Sequence, residues 1–324
     1  LRNGDIFYAK GVTHPPGHIV AYPKYVVDMN GDRVDRSTGR RYRRIPTLVD
    51  EYRYLVERYS YFINFDDFYG REVPLVPVNS IEFIYNPLKK AEELIASSTS
   101  LDLVLEDVKE MVEDIAMATD VKDIGVSGSV LVNLYTNTSD IDIVVYGVDN
   151  GVRVYRYLLE VVGKDPRYRR YSPENLYELF RRRVLETPIT LKYFVEQVSR
   201  KVLEGYFKNR EYFVRLVKYS WEEPSYGSYR CRKLGKTLAK LRVVDDRESI
   251  YTPCRYRVEV VEHIKGVKVD IEEVYSLRGR FAEIAKKDDI VIAFGTVELI
   301  EMKNSRVFYR LYLGDEGDYM MVAR

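Results

Sequence analysis

The 324-residue chain is expected to be an α+β protein, and three observations lead there. From Pro87 to about residue 208 the apolar residues recur at helical spacing. Both ends of the chain instead carry short alternating or β-branched runs. Turn chemistry such as His14-Pro15-Pro16-Gly17, Asn30-Gly31-Asp32, Lys265-Gly266 and Asn304-Ser305 cuts those runs to strand length.

At the N-terminal end, Ile6–Val12 and His18–Val27 read as strands. A helix is expected over Leu48–Tyr59, and Val73–Tyr85, interrupted by Pro74 and Pro77, reads as an extended edge segment. Pro87 suits the first position of a helix over Leu88–Ser98. Leu101–Thr119 carries a one-sided apolar stripe. A short strand (Ile124–Ser127), a short helix after Gly128 and an apolar strand (Asp140–Tyr146) come next. Helical patterns then cover Val152–Val162, Glu174–Leu185 and Thr190–Lys208, followed by strands at Tyr212–Tyr219 and Lys236–Val244. From Cys254 the runs Arg255–His263, Val267–Tyr275, Asp289–Met302 and Val307–Leu313 predict a small β-barrel or sandwich. The expected division is a β-rich segment (1–88), a central domain with a mixed sheet and flanking helices (89–250), and a small β-barrel-like C-terminal domain (251–324).

Hydrophobic residues make up 46% of the chain, enough for a substantial core. With 51 Lys and Arg against 50 Asp and Glu, bulk charge points to no polyanionic partner. Cys231 and Cys254 are far apart and do not join His14, His18 or His263 in a zinc spacing. No apolar run reaches transmembrane length and no leader pattern stands at the start, so a cytoplasmic location is expected. A charged content of 31% with Gln197 as the one glutamine resembles thermophile composition.

The segment that carries chemistry is Ile124–Gly147. A strand runs into Gly128-Ser129, where a helix begins. Gly128 lets a phosphate approach the backbone, and Ser129 adds a hydroxyl to the exposed amides of the helix start. After the polar turn Thr136–Ser139, Asp140 and Asp142 enter the second strand two residues apart and so share a face. Two adjacent carboxylates repel unless a cation lies between them. Mg²⁺ (or Mn²⁺), held by one or two carboxylates and substrate phosphates, meets that need.

Gly128-Ser129 followed by Asp140-Ile141-Asp142 resembles the signature of the DNA polymerase β nucleotidyltransferase superfamily. The His14-Pro15-Pro16-Gly17 start and Arg278-Gly279-Arg280-Phe281 tail resemble archaeal nucleotidyltransferases of unassigned substrate. The resemblance implies that Gly128 and Ser129 hold a nucleoside triphosphate and that Asp140 and Asp142 hold the metal. The implied reaction is transfer of a nucleoside monophosphate to a hydroxyl acceptor such as RNA, with release of pyrophosphate. Active members carry a third carboxylate on a neighbouring strand. Asp245 and Asp246, at the end of the Lys236–Val244 strand, are the first candidates, with Asp270 behind them. Two alternatives remain open: an inactive domain that binds nucleotide or RNA, and an enzyme that modifies a protein.

Blander readings cover the other motifs. Arg167–Tyr171 and Arg181–Arg183 read as helix faces paired with Glu174, Glu178 and Glu186. Arg230–Lys233, in a Gly/Ser/Tyr-rich loop, is the better binding candidate. His14 and His18 read as structural, Trp221 as packing, and the two cysteines lack the partners of a nucleophile.

Overall fold

A computed structural model describes residues 1–323 and divides the chain into two units, each assembled from separate stretches of sequence. The first comprises Leu1–Asn64, Pro74–Arg170 and Val202–Glu222; the second comprises Phe65–Val73, Tyr171–Lys201 and the chain from Glu223 onward. Both contain helices and sheet, the α+β class that the sequence predicts.

In the first unit, β1 (Ile6–Ala9) and β2 (His18–Val27) form an antiparallel pair. The strands β3 (Arg33–Val34) and β4 (Arg41–Arg44) extend the sheet on β2. Helix α1 (Leu48–Tyr59) starts at Thr47, whose side chain accepts a hydrogen bond from the Asp50 amide. Its Leu55 and Tyr59 close a core with Ala21, Phe62 and Val76. The sheet order is β3-β4-β2-β6-β5, with β5 at Ile63–Asp66 and β6 at Arg71–Pro77. The extended segment expected at an edge thus lies between two strands. It pairs with β2 over Leu75–Pro77 only, and so short a ladder tolerates the donor that proline lacks.

The central sheet of the same unit is framed by helices. Helix α2 (Pro87–Ala96) is capped by Asn86, and α3 (Leu103–Thr119) by Asp102, whose carboxylate accepts from the amides of Val104 and Leu105. Then come β7 (Ile124–Val126), the four-residue α4 (Gly128–Leu131), β8 (Ile141–Tyr146), α5 (Val148–Val161) and β9 (Tyr168–Arg169). Helices α6 (Pro173–Arg183) and α7 (Leu191–Val198) belong to the second unit. The sheet is completed by β10 (Glu204–Phe207) and β11 (Arg210–Val217), in the order β7-β8-β11-β10-β9. Only β8 and β11 are parallel, so the sheet is mixed, as expected. Ile141, Ile143 and Val145 are fully buried beneath β8.

The C-terminal strands are β12 (Tyr229–Asp245), β13 (Cys254–Gly266), β14 (Ile271–Ser276), β15 (Ile290–Met302), β16 (Val307–Tyr312) and β17 (Tyr319–Val322). The first five pair as β12-β13-β14-β16-β15, and β15 also pairs with β12, which closes a barrel-like ring. Inside it lie Leu241, Tyr256, Val274, Val291 and Leu311.

Three local expectations change. The helix expected over Thr190–Lys208 stops at Val198, and Glu204–Phe207 instead pairs as β10 with β11 across a turn at Lys208 (φ of +52°). The Arg230–Lys233 loop is the first part of β12, paired along its length with β15. The strand over Lys236–Val244 exists, but it belongs to the C-terminal ring and not to the central sheet. Among the described residues, no helix is long and apolar enough to cross a membrane.

Candidate nucleotidyltransfer site

The site forms where β7 leaves the sheet. Ser127 donates its amide to the Asp142 carbonyl at 2.7 Å, which ties the end of β7 to β8. The chain then turns at Gly128 with a φ of +64°, and a Cβ there would lie 1.9 Å from Asp142 Oδ2. Only glycine therefore fits against this carboxylate. One turn of helix carries little dipole, so any hold on phosphate rests on local amides and hydroxyls. Ser129 Oγ donates to Ser139 Oγ at 3.1 Å, and Ser139 Oγ accepts from the Thr136 amide at 2.9 Å. From β11, Arg210 donates to the carbonyls of Asn137 and Ser139 at 2.8 and 2.9 Å. The loop between the Gly-Ser turn and the two aspartates is thus pinned at both sides.

Asp140 is exposed and Asp142 half-buried, both at the start of β8. Burial pushes the Asp142 carboxyl above its ordinary value, and the nearby charges of Arg215, Arg44 and Lys24 pull it back down. Lys24 and Arg44 come from the N-terminal sheet, the segment whose role was least legible. That sheet packs directly on the motif: Tyr25 and Tyr42 share a core with Val132 and Leu134. Arg33 also donates to the Leu134 carbonyl at 3.4 Å.

The strand beside Asp142 is β11. Phe213 stands directly opposite Asp142, with Arg215 and Glu211 two residues to either side on the same face. Glu211 is the acid on that strand, and no local motif marks it; only the β8–β11 register brings it forward. Asp245 and Asp246 lie in the second unit. There Asp245 is gripped by Arg247 at 2.5 Å, which holds its carboxyl down at about 2, and Asp246 faces Lys286 at 3.6 Å. Asp270 is exposed just before β14. Among the described residues, no three or more His, Cys, Asp or Glu side chains gather to hold a metal ion.

Residues 101–204, from the start of α3 into β10, match the family model described as a nucleotidyltransferase domain. This stretch of the chain is thus similar to a nucleotidyltransferase domain. The match brackets the Gly128-Ser129 turn and both aspartates. Over 99% of its length the chain is also 25% identical to an uncharacterized protein of Methanocaldococcus jannaschii, of which it covers 96%. No solved structure matches.

The other motifs settle into structural roles around this domain. Arg167 pairs with Asp165 at 2.7 Å and Asp114 at 2.9 Å, instead of with the glutamates of α6. His14 Nδ1 accepts from the Val20 amide at 3.3 Å. Trp221, expected to pack, is 77% exposed and stacks on Tyr219. Cys231 and Cys254 are buried, and burial pushes both thiols up to about 12, which makes them inert.

Proposed function

We propose that the protein is a metal-dependent nucleotidyltransferase that moves a nucleoside monophosphate from a nucleoside triphosphate to a hydroxyl acceptor. One observation carries this reading: Gly128 is stripped of a side chain where it meets the Asp142 carboxylate, so a phosphate loop and an acidic pair share one place. Asp140 and Asp142 are hard oxygen donors at the start of one strand. They fit Mg²⁺ or Mn²⁺ shared with substrate phosphates, which requires no third protein ligand. The ion would neutralise charge on the triphosphate and activate the attacking oxygen.

In the proposed reaction the acceptor oxygen attacks the α-phosphorus. The bond between the α-phosphorus and the α–β bridging oxygen breaks, and pyrophosphate leaves with its electron pair. The backbone amides near Gly128 and the Ser129 hydroxyl orient the phosphates. The acceptor proton passes to a carboxylate, and we assign this to Glu211, the acid on the Asp142 face of β11. Asp245 and Asp246 stay outside this assignment because each already faces a cation of its own unit.

Phe213, standing opposite Asp142, favours one competing reading, a domain that binds the nucleotide without turning it over. Incubation with α-labelled triphosphates, Mg²⁺ or Mn²⁺, and either RNA or cell extract separates the two. The expected result is label in an acceptor with the natural chain, none with Asp140→Ala, and a slowed rate with unchanged nucleotide affinity for Glu211→Gln. Full transfer by Asp140→Ala would end the catalytic reading. Label in protein instead of RNA would identify a protein-modifying enzyme.

A further inference from the structure

We propose that Arg44 and Arg215 form a clamp for the triphosphate, one arginine from the N-terminal sheet and one from the central sheet. The clamp rests on the reading of the Asp140/Asp142 site given above and adds to it the cationic side of the pocket.

Strand register fixes where each arginine stands. Arg44 ends β4 directly opposite Tyr25 of β2, so the two side chains leave the same face. Tyr25 on that face is 6% exposed and packs with Val132 and Leu134, a few residues beyond Gly128-Ser129. Arg44 is therefore carried to the phosphate turn by a strand anchored on it. Arg215 stands two residues beyond Phe213 on β11. Phe213 is the partner of Asp142, so Arg215 shares the Asp142 face of the central sheet.

Both arginines are exposed, and neither forms an ion pair or a side-chain hydrogen bond among the described residues. Arg215 lies over the Phe213 ring, at 5.4 Å. Lys24 is different: it is tied to the buried Glu51 at 3.2 Å, and Tyr8 donates to the same carboxylate at 2.8 Å. Lys24 is thereby neutralised, which leaves Arg44 and Arg215 as the open cations facing the acidic pair.

Charge balance favours cations here. Even with two divalent ions offsetting a fully ionised triphosphate, the carboxylates of Asp140, Asp142 and Glu211 remain for the protein to offset. Guanidiniums do this without titrating near neutral pH, and their planar forks match phosphate oxygens two at a time.

The test is calorimetric titration with ATP, GTP, CTP and UTP and the matching monophosphates, in EDTA and again with Mg²⁺. The clamp predicts that Arg44→Ala and Arg215→Ala each weaken binding of the accepted triphosphate about tenfold or more. Monophosphate binding should change little, and Arg215→Lys should recover part of the loss. Both side chains are exposed, so the fold should persist, and thermal melting checks this. Unchanged triphosphate affinity in both alanine variants overturns the clamp while leaving the acidic site standing. A natural chain that binds no triphosphate under either condition overturns the nucleotide reading, and the clamp with it.

Discussion

At Gly128 the backbone needs a positive φ, and the space beyond its Cα is filled by Asp142 Oδ2. Two independent demands therefore fall on one residue. Gly128→Ala should cost about 1–2 kcal/mol of stability from the left-handed backbone alone. The larger effect is expected on function, because the new methyl must displace the carboxylate. A shift of that kind lowers transfer about a hundredfold with the fold retained. Steady-state rates beside a melting curve check it; an alanine variant with natural turnover would show that Asp142 is not held for catalysis. The sequence made Gly128, Ser129, Asp140 and Asp142 legible because each lies within one strand-turn-strand unit. Glu211, Arg44 and Arg215 were not legible. The places proposed for them depend on strand register and packing, which no local spacing encodes.

Among the elements, α3 shows how the N-terminal sheet is fastened to the domain it covers. Asp102 caps the helix and also accepts from Arg36 at 2.6 Å and from Tyr135 at 3.0 Å. Arg36 in turn lies over the Tyr135 ring at 4.2 Å, and its amide donates to the Asn133 carbonyl. A capping residue has thus become the junction of a helix start, the loop after β3 and the segment following the Gly128-Ser129 turn. Asp102→Ala should cost about 2 kcal/mol, the upper range for a cap, because it also strands Arg36 and the Tyr135 hydroxyl. Urea unfolding measures this, and a loss below about 0.5 kcal/mol would show that the junction contributes little. Helical and strand periods found most elements. The failures fell where an apolar run suited both states, as in Val202–Phe207, or where polar residues hid a strand, as in Arg230–Lys233.

At the scale of the whole molecule, the second unit is held by charges that the sequence showed only as composition. Glu298 is fully buried between Arg310, at 2.7 Å, and Arg71. Arg71 lies over the Tyr312 ring and Arg310 over that of Tyr275. Burial alone would raise the Glu298 carboxyl, but the two guanidiniums outweigh it and hold the group below its ordinary value. A depressed carboxyl stabilises the fold above its unfolded pKa, and that contribution is lost as pH falls through the folded value. Glu298→Gln should therefore cost about 3 kcal/mol at neutral pH and flatten the acid side of the stability profile. Melting temperatures from pH 7 to pH 3 test both parts; parallel profiles for the two proteins would contradict the account. The ring also sets a limit on truncation. Removing residues 254–324 takes away four of its five strands and strips cover from Ala239, Leu241 and Val243 of β12.

The sequence by itself determined the fold class, the glycine turn at Gly128-Ser129 and the acidic pair, since a period of two or 3.6 and a fixed spacing are properties of neighbouring residues. It also supplied the resemblance that the nucleotidyltransferase match supports. Only the tertiary structure decided that β12 closes a ring, that the N-terminal sheet packs on Val132 and Leu134, and that Glu211 and Arg215 share the Asp142 face. Those facts depend on which strands pair and in what register. Pairing joins residues dozens of positions apart, as Asp142 to Phe213 and Tyr229 to Met302, through backbone hydrogen bonds that every sequence can make equally.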